Sequence, residues 1–176
     1  MSGRAGLLAA LALSAAPAVA QDLTVSPALA GARAGIFCAE DTGERRAAPG
    51  TVTGYVDTLA AAELRAATGT VPIARGVSFG FEATAAGAPI DGAVLTLRHP
   101  PFTGLGTTEQ IMDLSFGPGV TTQLYTFDHD YEMVPGPWTM EVSVGGEVIL
   151  RAAFEAVPAA AAPGLAALCR PSGLLS

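Results

Sequence analysis

Residues 138–157 read WTMEVSVGGEVILRAAFEAV. Apolar and polar side chains alternate from Trp138 to Val144, which predicts a strand with one face in the core. Gly145 and Gly146 follow, and both can adopt a positive φ at little steric cost. An apolar-rich segment then returns over 147–157. The stretch therefore predicts an antiparallel β-hairpin.

The same alternation occurs earlier in the chain. Val77, Phe79 and Phe81 alternate with polar or small residues, residues 93–99 repeat the pattern, and 109–116 and 121–127 are weaker examples. Turns rich in glycine and proline separate these segments. Short strands at such spacing, with little helix, predict a mainly β domain. We expect an antiparallel immunoglobulin-like β-sandwich with a short helix and one disulfide.

The first third of the chain has a weaker pattern. Short strands are predicted at 34–39 and 51–56, divided by a polar loop over 41–50. Ala, Leu, Glu and Arg dominate 59–67 without a β-branched residue, which predicts a short helix there. One helical turn is predicted at 164–169, within an Ala/Pro-rich tail.

The N-terminus has the layout of a secretory signal peptide. Arg4 precedes an apolar run over 5–16, and Ala18-Val19-Ala20 forms a small-residue cleavage site. We therefore divide the chain into a signal peptide at 1–20, a β-sandwich domain at 21–157 and a tail at 158–176. A membrane span needs about 20 apolar residues, and no later run reaches that length. This predicts a periplasmic or secreted protein without a transmembrane span in the mature chain.

Cys38 and Cys169 are the two cysteines of the sequence. An even pair in an oxidising compartment predicts a disulfide, which would tie the tail to an early strand. A redox or metal-binding pair is the alternative, but no Cys-x-x-Cys spacing favours it. The sequence has nine basic residues and sixteen acidic residues, which gives a formal net charge of −7. Because phosphate binding needs clustered cations, we expect no nucleic-acid partner.

Two short motifs match catalytic patterns. Gly76-Val77-Ser78-Phe79-Gly80 matches the nucleophile elbow of esterases, which requires a strand, a sharp turn and a helix. Alternation continues through the motif, so we interpret Ser78 as a strand residue. Asp41-Thr42-Gly43 matches the aspartic-protease triplet, but it occurs once and in a polar context, which favours a turn.

Asp128, His129, Asp130 and Glu132 gather three carboxylates around one histidine. Such groups can ligate divalent cations, and Asp128, His129 and Asp130 are the candidate ligands. Neighbours on an extended segment point to opposite faces, so a solvated turn is the preferred interpretation. No metal or other cofactor is expected.

Tyr131 and Trp138 are the candidate binding aromatics. Tyr131 precedes the strand that begins near Trp138, where a tyrosine can bond its hydroxyl to backbone at a sandwich corner. Trp138 is interpreted as a core anchor, with a ligand-stacking surface as the alternative. His99 is interpreted as a strand-end residue.

The segments TVPIARGVSFG at 70–80 and FDHDYEMVPGPW at 127–138, with Gly146 and Phe154-Glu155-Ala156-Val157, carry a family resemblance. Residues 33–157 resemble an exported bacterial family described only as a domain of unknown function. The resemblance implies an exported β-sandwich and supplies no catalytic residues.

No catalytic residue is therefore predicted. The first functional hypothesis is a non-catalytic periplasmic binding or protein-interaction module, whose partner would be another periplasmic or envelope protein. A structural envelope protein is indistinguishable from it by sequence. The alternative is a small hydrolase or metal-binding protein that uses Ser78 or the 128–132 cluster. A deep pocket with convergent polar groups would favour an enzyme, and an exposed apolar patch would favour interaction.

Overall fold

Strands dominate the computed structural model, which describes residues 22–169. The strands are β1 (Asp22–Val25), β2 (Leu29–Ala47), β3 (Tyr55–Ala66), β4 (Thr70–Ile73), β5 (Ser78–Ala85), β6 (Ile90–Arg98), β7 (Glu109–Phe116), β8 (Thr121–Thr126), β9 (Gly136–Val144) and β10 (Glu147–Pro158). Helix α1 spans Pro163–Ala166, and 3₁₀ turns lie at Asp130–Glu132 and Ala159–Ala161. The signal peptide predicted at 1–20 lies outside the described residues.

Two sheets form the molecule. The larger has the order β1-β10-β9-β6-β7, with β4 added in parallel beside β10. The smaller has the order β3-β2-β5-β8, and its pairings are antiparallel. This confirms the predicted β-sandwich, whose strand pairings are antiparallel apart from that of β4 with β10.

The predicted hairpin at 138–157 is confirmed as β9 and β10. Gly145 and Gly146 join the strands at φ values of 57° and 87°. Trp138 stands opposite Phe154 in the ladder, so both side chains point to the same face. That face is the core.

Aromatic side chains from both sheets fill the space between them. Phe79, at 0% exposure, packs its ring 5.5 Å from Trp138 and 5.1 Å from Phe154. Phe127 lies 5.5 Å from Trp138 in an edge-to-face arrangement. Burial of each such side chain is worth about 1.5–3 kcal/mol, so this cluster is the main source of stability.

Three local predictions near the N-terminus are wrong. Residues 59–67 are not helical: they lie mostly in β3, whose pairing with β2 runs from Tyr55 to Ala66. The polar loop predicted at 41–50 is mostly strand, because β2 continues from 34–39 to Ala47. The strand predicted at 51–56 is mostly turn, because β3 begins only at Tyr55. Strand pairing overrides the helix propensity of 59–67, because a β-ladder satisfies the backbone hydrogen bonds of both strands. The short helix of the fold is α1, close to the turn predicted at 164–169.

The disulfide between Cys38 and Cys169 is confirmed, with an S–S distance of 2.07 Å. It links β2 to the segment that follows α1, so the tail is attached to the smaller sheet. None of the helices within 22–169 has the length and apolar character needed to cross a membrane.

Candidate functional site

An arm formed by residues 40–59 bridges the two sheets. Beyond Phe37, β2 no longer pairs with β5 and continues in partnership with β3 alone. The turn between these strands reaches β7 of the opposite sheet. There the Ile111 amide donates to the Gly50 carbonyl at 3.0 Å, and the Val52 amide donates to Gln110 Oε1 at 3.1 Å.

A cleft of about 470 Å³ lies beneath this arm. Its walls are the arm, strand β8, the start of β7 and the loop at 128–132. The volume falls within the range of small-molecule binding sites, about 300–1,000 Å³. The arm thus encloses a space that the sandwich alone would leave open.

Buried polar groups from different elements converge on the cleft. Gln110 is 5% exposed, and its Nε2 has no hydrogen-bond partner among residues 22–169. The hydroxyl of Tyr125, from β8, is likewise buried without a partner in that part of the chain. Because each unpaired buried polar group costs about 1–3 kcal/mol, a ligand that paired them would recover that cost.

Glu132 closes one end of the cleft. Its side chain is 6% exposed, and Oε2 accepts hydrogen bonds from the amides of Asp128 at 2.9 Å and His129 at 3.0 Å. These bonds hold the 3₁₀ turn at Asp130–Glu132 against the preceding loop. The carboxylate is therefore fixed in position before any ligand arrives.

Negative charge accumulates around this end. Burial raises the pKa of Asp128, the carboxylates of Glu132, Asp57 and Asp41 raise it further, and His129 opposes them. Burial together with the Glu132 carboxylate raises the pKa of Tyr131 to about 12. The pKa of Tyr125 is raised by burial and by the nearby Glu132 carboxylate, whereas the Gln110 side chain lowers it, so these three side chains lie close together.

Ser78 lines the cleft, but its surroundings differ from those of a nucleophile. It is the first residue of β5, which continues as a strand through Gly80. Its Oγ pairs with the Thr126 hydroxyl at 2.8 Å. An activated serine needs a neighbouring base and a strand–turn–helix setting, and this position has neither.

Asp41 lies on the arm within an irregular part of β2. Its Oδ1 accepts a hydrogen bond from the Gly43 amide at 2.8 Å, which is the arrangement of a local turn. The ladder with β3 shifts register between Asp41 and Arg45. Asp41 therefore belongs to a local turn and also lines the cleft.

The 128–132 cluster is split by the 3₁₀ turn. Asp128, His129 and Glu132 line the cleft, whereas Asp130 pairs with Arg75 at 2.6 Å and its side chain is 91% exposed. Across residues 22–169, no three side chains of the types His, Cys, Asp and Glu are grouped to hold a metal ion.

The two candidate aromatics have different positions. Trp138 is 0% exposed and donates from Nε1 to the Val134 carbonyl at 3.4 Å, so the ligand-stacking alternative is wrong and the core interpretation describes it. Tyr131 lines the cleft, and its ring stacks on His129 at 5.0 Å. His99 lies in the core, 3.7 Å from the ring of Phe102.

Gln110 and Tyr125 are site residues that the sequence analysis missed. One signal for Gln110 existed: it shares the period of Met112, Leu114 and Phe116, which places it on the inward face of β7. A polar residue in such a position is either paired or functional. The contact between β7 and the arm cannot be predicted from any local sequence pattern.

A family model described as a domain of unknown function (DUF3859) matches residues 25–156. The chain belongs to this family. The resemblance carried by 70–80 and 127–138 is thereby confirmed, and the DUF3859 region includes the arm, the cleft and both sheets apart from the outermost residues.

Among solved structures, the chain is similar to an immunoglobulin-like protein (PA1606) from Pseudomonas aeruginosa. The two are 19% identical over 79% of this chain and 99% of that one, with a TM-score of 0.49. No curated protein matches the chain.

Proposed function

We propose that this protein is an exported, non-catalytic binding module that holds its ligand in the cleft beneath the arm. The observation that carries the proposal is that Gln110 and Tyr125, whose Nε2 and hydroxyl are buried and unpaired within 22–169, line the same half-open cleft. Binding sites orient their ligands through fixed polar groups, and polar side chains form much of the lining of this cleft. Its partner or ligand would belong to the cell envelope.

A pocket with several polar side chains is also what an enzyme would have. The choice between a binding module and an enzyme therefore depends on the chemistry of these side chains. The Ser78 hydroxyl pairs with that of Thr126, and among residues 22–169 it makes no hydrogen bond to a histidine. General acid–base chemistry is the other route, but it needs a proton acceptor placed against a reacting group. The Glu132 carboxylate instead uses Oε2 to hold two backbone amides. These features support binding over hydrolysis.

Export is supported by two independent features. The leader at 1–20 has the layout of a cleavable signal peptide. The disulfide between Cys38 and Cys169 is of a kind that persists in oxidising compartments.

The test is an amide NMR titration of the ¹⁵N-labelled mature protein with periplasmic extract. We expect shifts concentrated at β8, the arm and 128–132. Leu124→Trp, which fills the cleft from β8, should abolish them. Val148→Trp adds the same ring at an exposed site on the other sheet and should leave them unchanged. Shifts centred elsewhere, or shifts that persist in Leu124→Trp, would reject the cleft as the binding site.

A further inference from the structure

The charge in the cleft is unbalanced. Four carboxylates line it, from Asp41, Asp57, Asp128 and Glu132, and Arg46 is the arginine among the lining residues. Asp57 already forms an ion pair with Arg45 at 3.0 Å. The Arg45 guanidinium also lies 4.1 Å from the centre of the Tyr55 ring. Within 22–169, the other three carboxylates make no ion pair.

Asp128 and Glu132 mark where this imbalance is concentrated. Glu132 is buried, and the exposed Asp128 lies beside it, with its amide donating to Glu132 Oε2 at 2.9 Å. The pKa of Asp128 is raised first by burial and then by the Glu132 carboxylate, in agreement with this short separation. Like charges in one site destabilise each other, and a cation between them removes the repulsion.

A second observation, independent of the acids, also indicates a ligand. Gln110 is only 5% exposed, and its Nε2, a hydrogen-bond donor, has no acceptor among residues 22–169. Tyr125 and Tyr131 line the same space. The cleft therefore presents acceptors for a cation and a donor for a carbonyl or hydroxyl.

We propose that the cleft binds a ligand with a positively charged amino or guanidinium group, seated against Asp128 and Glu132, and with an acceptor atom for Gln110 Nε2. This inference rests on the proposed function and specifies its ligand class. The cation can come from an arginine or lysine side chain of a polypeptide, or from a free polyamine. Both sources share the chemistry that the cleft recognises.

Calorimetry with matched probes tests the proposal. N-acetylargininamide carries the guanidinium and two carbonyl groups, and N-acetylcitrullinamide has nearly the same shape without the charge. 1,5-Diaminopentane represents a free polyamine. We expect the arginine or the diamine probe to bind, with affinity that falls as salt increases. The stronger of the two identifies the source, whereas equal binding of the citrulline probe, or no binding by either cation, would overturn the inference.

Charge-removing variants locate the site. Asp128→Asn and Glu132→Gln should each weaken binding of the stronger probe by at least about tenfold, because each removes a charged partner. Asp130→Asn is the matched control, since its carboxylate pairs with Arg75 outside the cleft. We expect that variant to bind within about twofold of the wild type. An equal loss in Asp130→Asn would show a nonspecific charge effect and reject the site.

Two checks keep the outcomes separable. Gln retains an oxygen that can accept the amides of Asp128 and His129, and a thermal melt shows whether Glu132→Gln is folded. If that variant unfolds, Asp128→Asn alone decides the matter. If periplasmic extract shifts the cleft amides but neither cationic probe binds, the inference on ligand class is rejected and the binding function stands.

Discussion

Trp138 is the side chain on which the core depends most. It is 0% exposed and contacts aromatic rings from several elements, including Phe79 at 5.5 Å and Tyr125 at 5.0 Å. Trp138→Ala would leave a large cavity, and we expect it to lower the free energy of unfolding by about 3–5 kcal/mol. Urea denaturation measures the change. Val148→Ala, at a 46% exposed position, should change it by less than about 0.5 kcal/mol.

His99 makes the same core sensitive to acid. Its Nδ1 lies 2.8 Å from the Pro100 carbonyl and donates to it, which leaves Nε2 as a bare acceptor, unpaired within 22–169. Burial lowers the pKa of His99, while the Pro100 carbonyl and Glu132 act in the opposite direction. The protonated ring is therefore less favourable in the folded protein than in the unfolded chain.

The sign of the pH effect follows from linkage. The unfolded chain takes up the proton near pH 6.5 and the folded protein only at lower pH, so stability should fall as pH decreases through 6.5 towards the folded pKa. Below that value the loss is complete. Urea denaturation from pH 7.5 to 5 measures it, and His99→Phe, which keeps a ring but cannot titrate, should show a smaller decrease. Parallel curves for the two proteins would contradict the assignment to His99.

Among the elements, predictability follows the environment of each strand. β9 and β10 were predicted because one face of each lies in the core and their sequences alternate with that burial. The sequence of β5 also alternates, although its first six residues are all buried. β3 pairs only with β2 and has mostly half-exposed or exposed residues, so its sequence carries no such record. Ala61 even adopts a φ of 50° where the β2–β3 register shifts. The residue composition predicted a helix there, but pairing with β2 makes the segment a strand.

The cleft was predictable only where its residues are neighbours in sequence. Asp128, His129, Tyr131 and Glu132 stood out as a local cluster, although which of them share a space depends on the 3₁₀ turn. Gln110 comes from the other sheet, and it reaches the cleft because the arm docks on β7. No local pattern encodes a contact between residues 58 positions apart.

Docking of the arm therefore has a direct test at Gly50. A Cβ added there would lie 2.1 Å from the Ile111 carbonyl oxygen, a backbone atom that cannot move aside easily. Gly50→Ala should detach the turn from β7 and destabilise the fold by about 1–3 kcal/mol. Hydrogen exchange at the Ile111 amide, which donates to Gly50, should accelerate.

The matched control for the arm is Gly117→Ala, since an added Cβ at that position meets no atom within 4 Å. Exchange at Ile111 should be unchanged in this variant. The same Gly50→Ala protein should also lose affinity for any cleft ligand, because the arm forms one wall. Normal protection of Ile111 in Gly50→Ala would show that the arm tolerates the methyl group and is held by other contacts.

At the scale of the whole molecule, the disulfide connects parts of the chain that strand pairing leaves separate. Cys38 and Cys169 are 131 positions apart, so the bond constrains nearly the entire described chain. The chain-entropy model gives about 5 kcal/mol for a loop of that length, and measured values are commonly about 2–4 kcal/mol. The tail beyond β10 has no fully buried residue in its 3₁₀ turn or in α1, and its apolar contact with the core comes from the partly buried Leu165 and Leu168.

We therefore expect the Cys38→Ser, Cys169→Ser double variant to keep the sandwich but release the tail. Its free energy of unfolding should fall by about 2–4 kcal/mol, measured by urea denaturation with far-UV circular dichroism. Amides at 159–168 should exchange faster, while those of β5 and β9 stay protected, because their bonds lie within the sheets. Reduced wild type should behave like the variant. Protection of 159–168 equal to that of the oxidised protein would mean that packing against β4, not the sulfur bridge, fixes the tail.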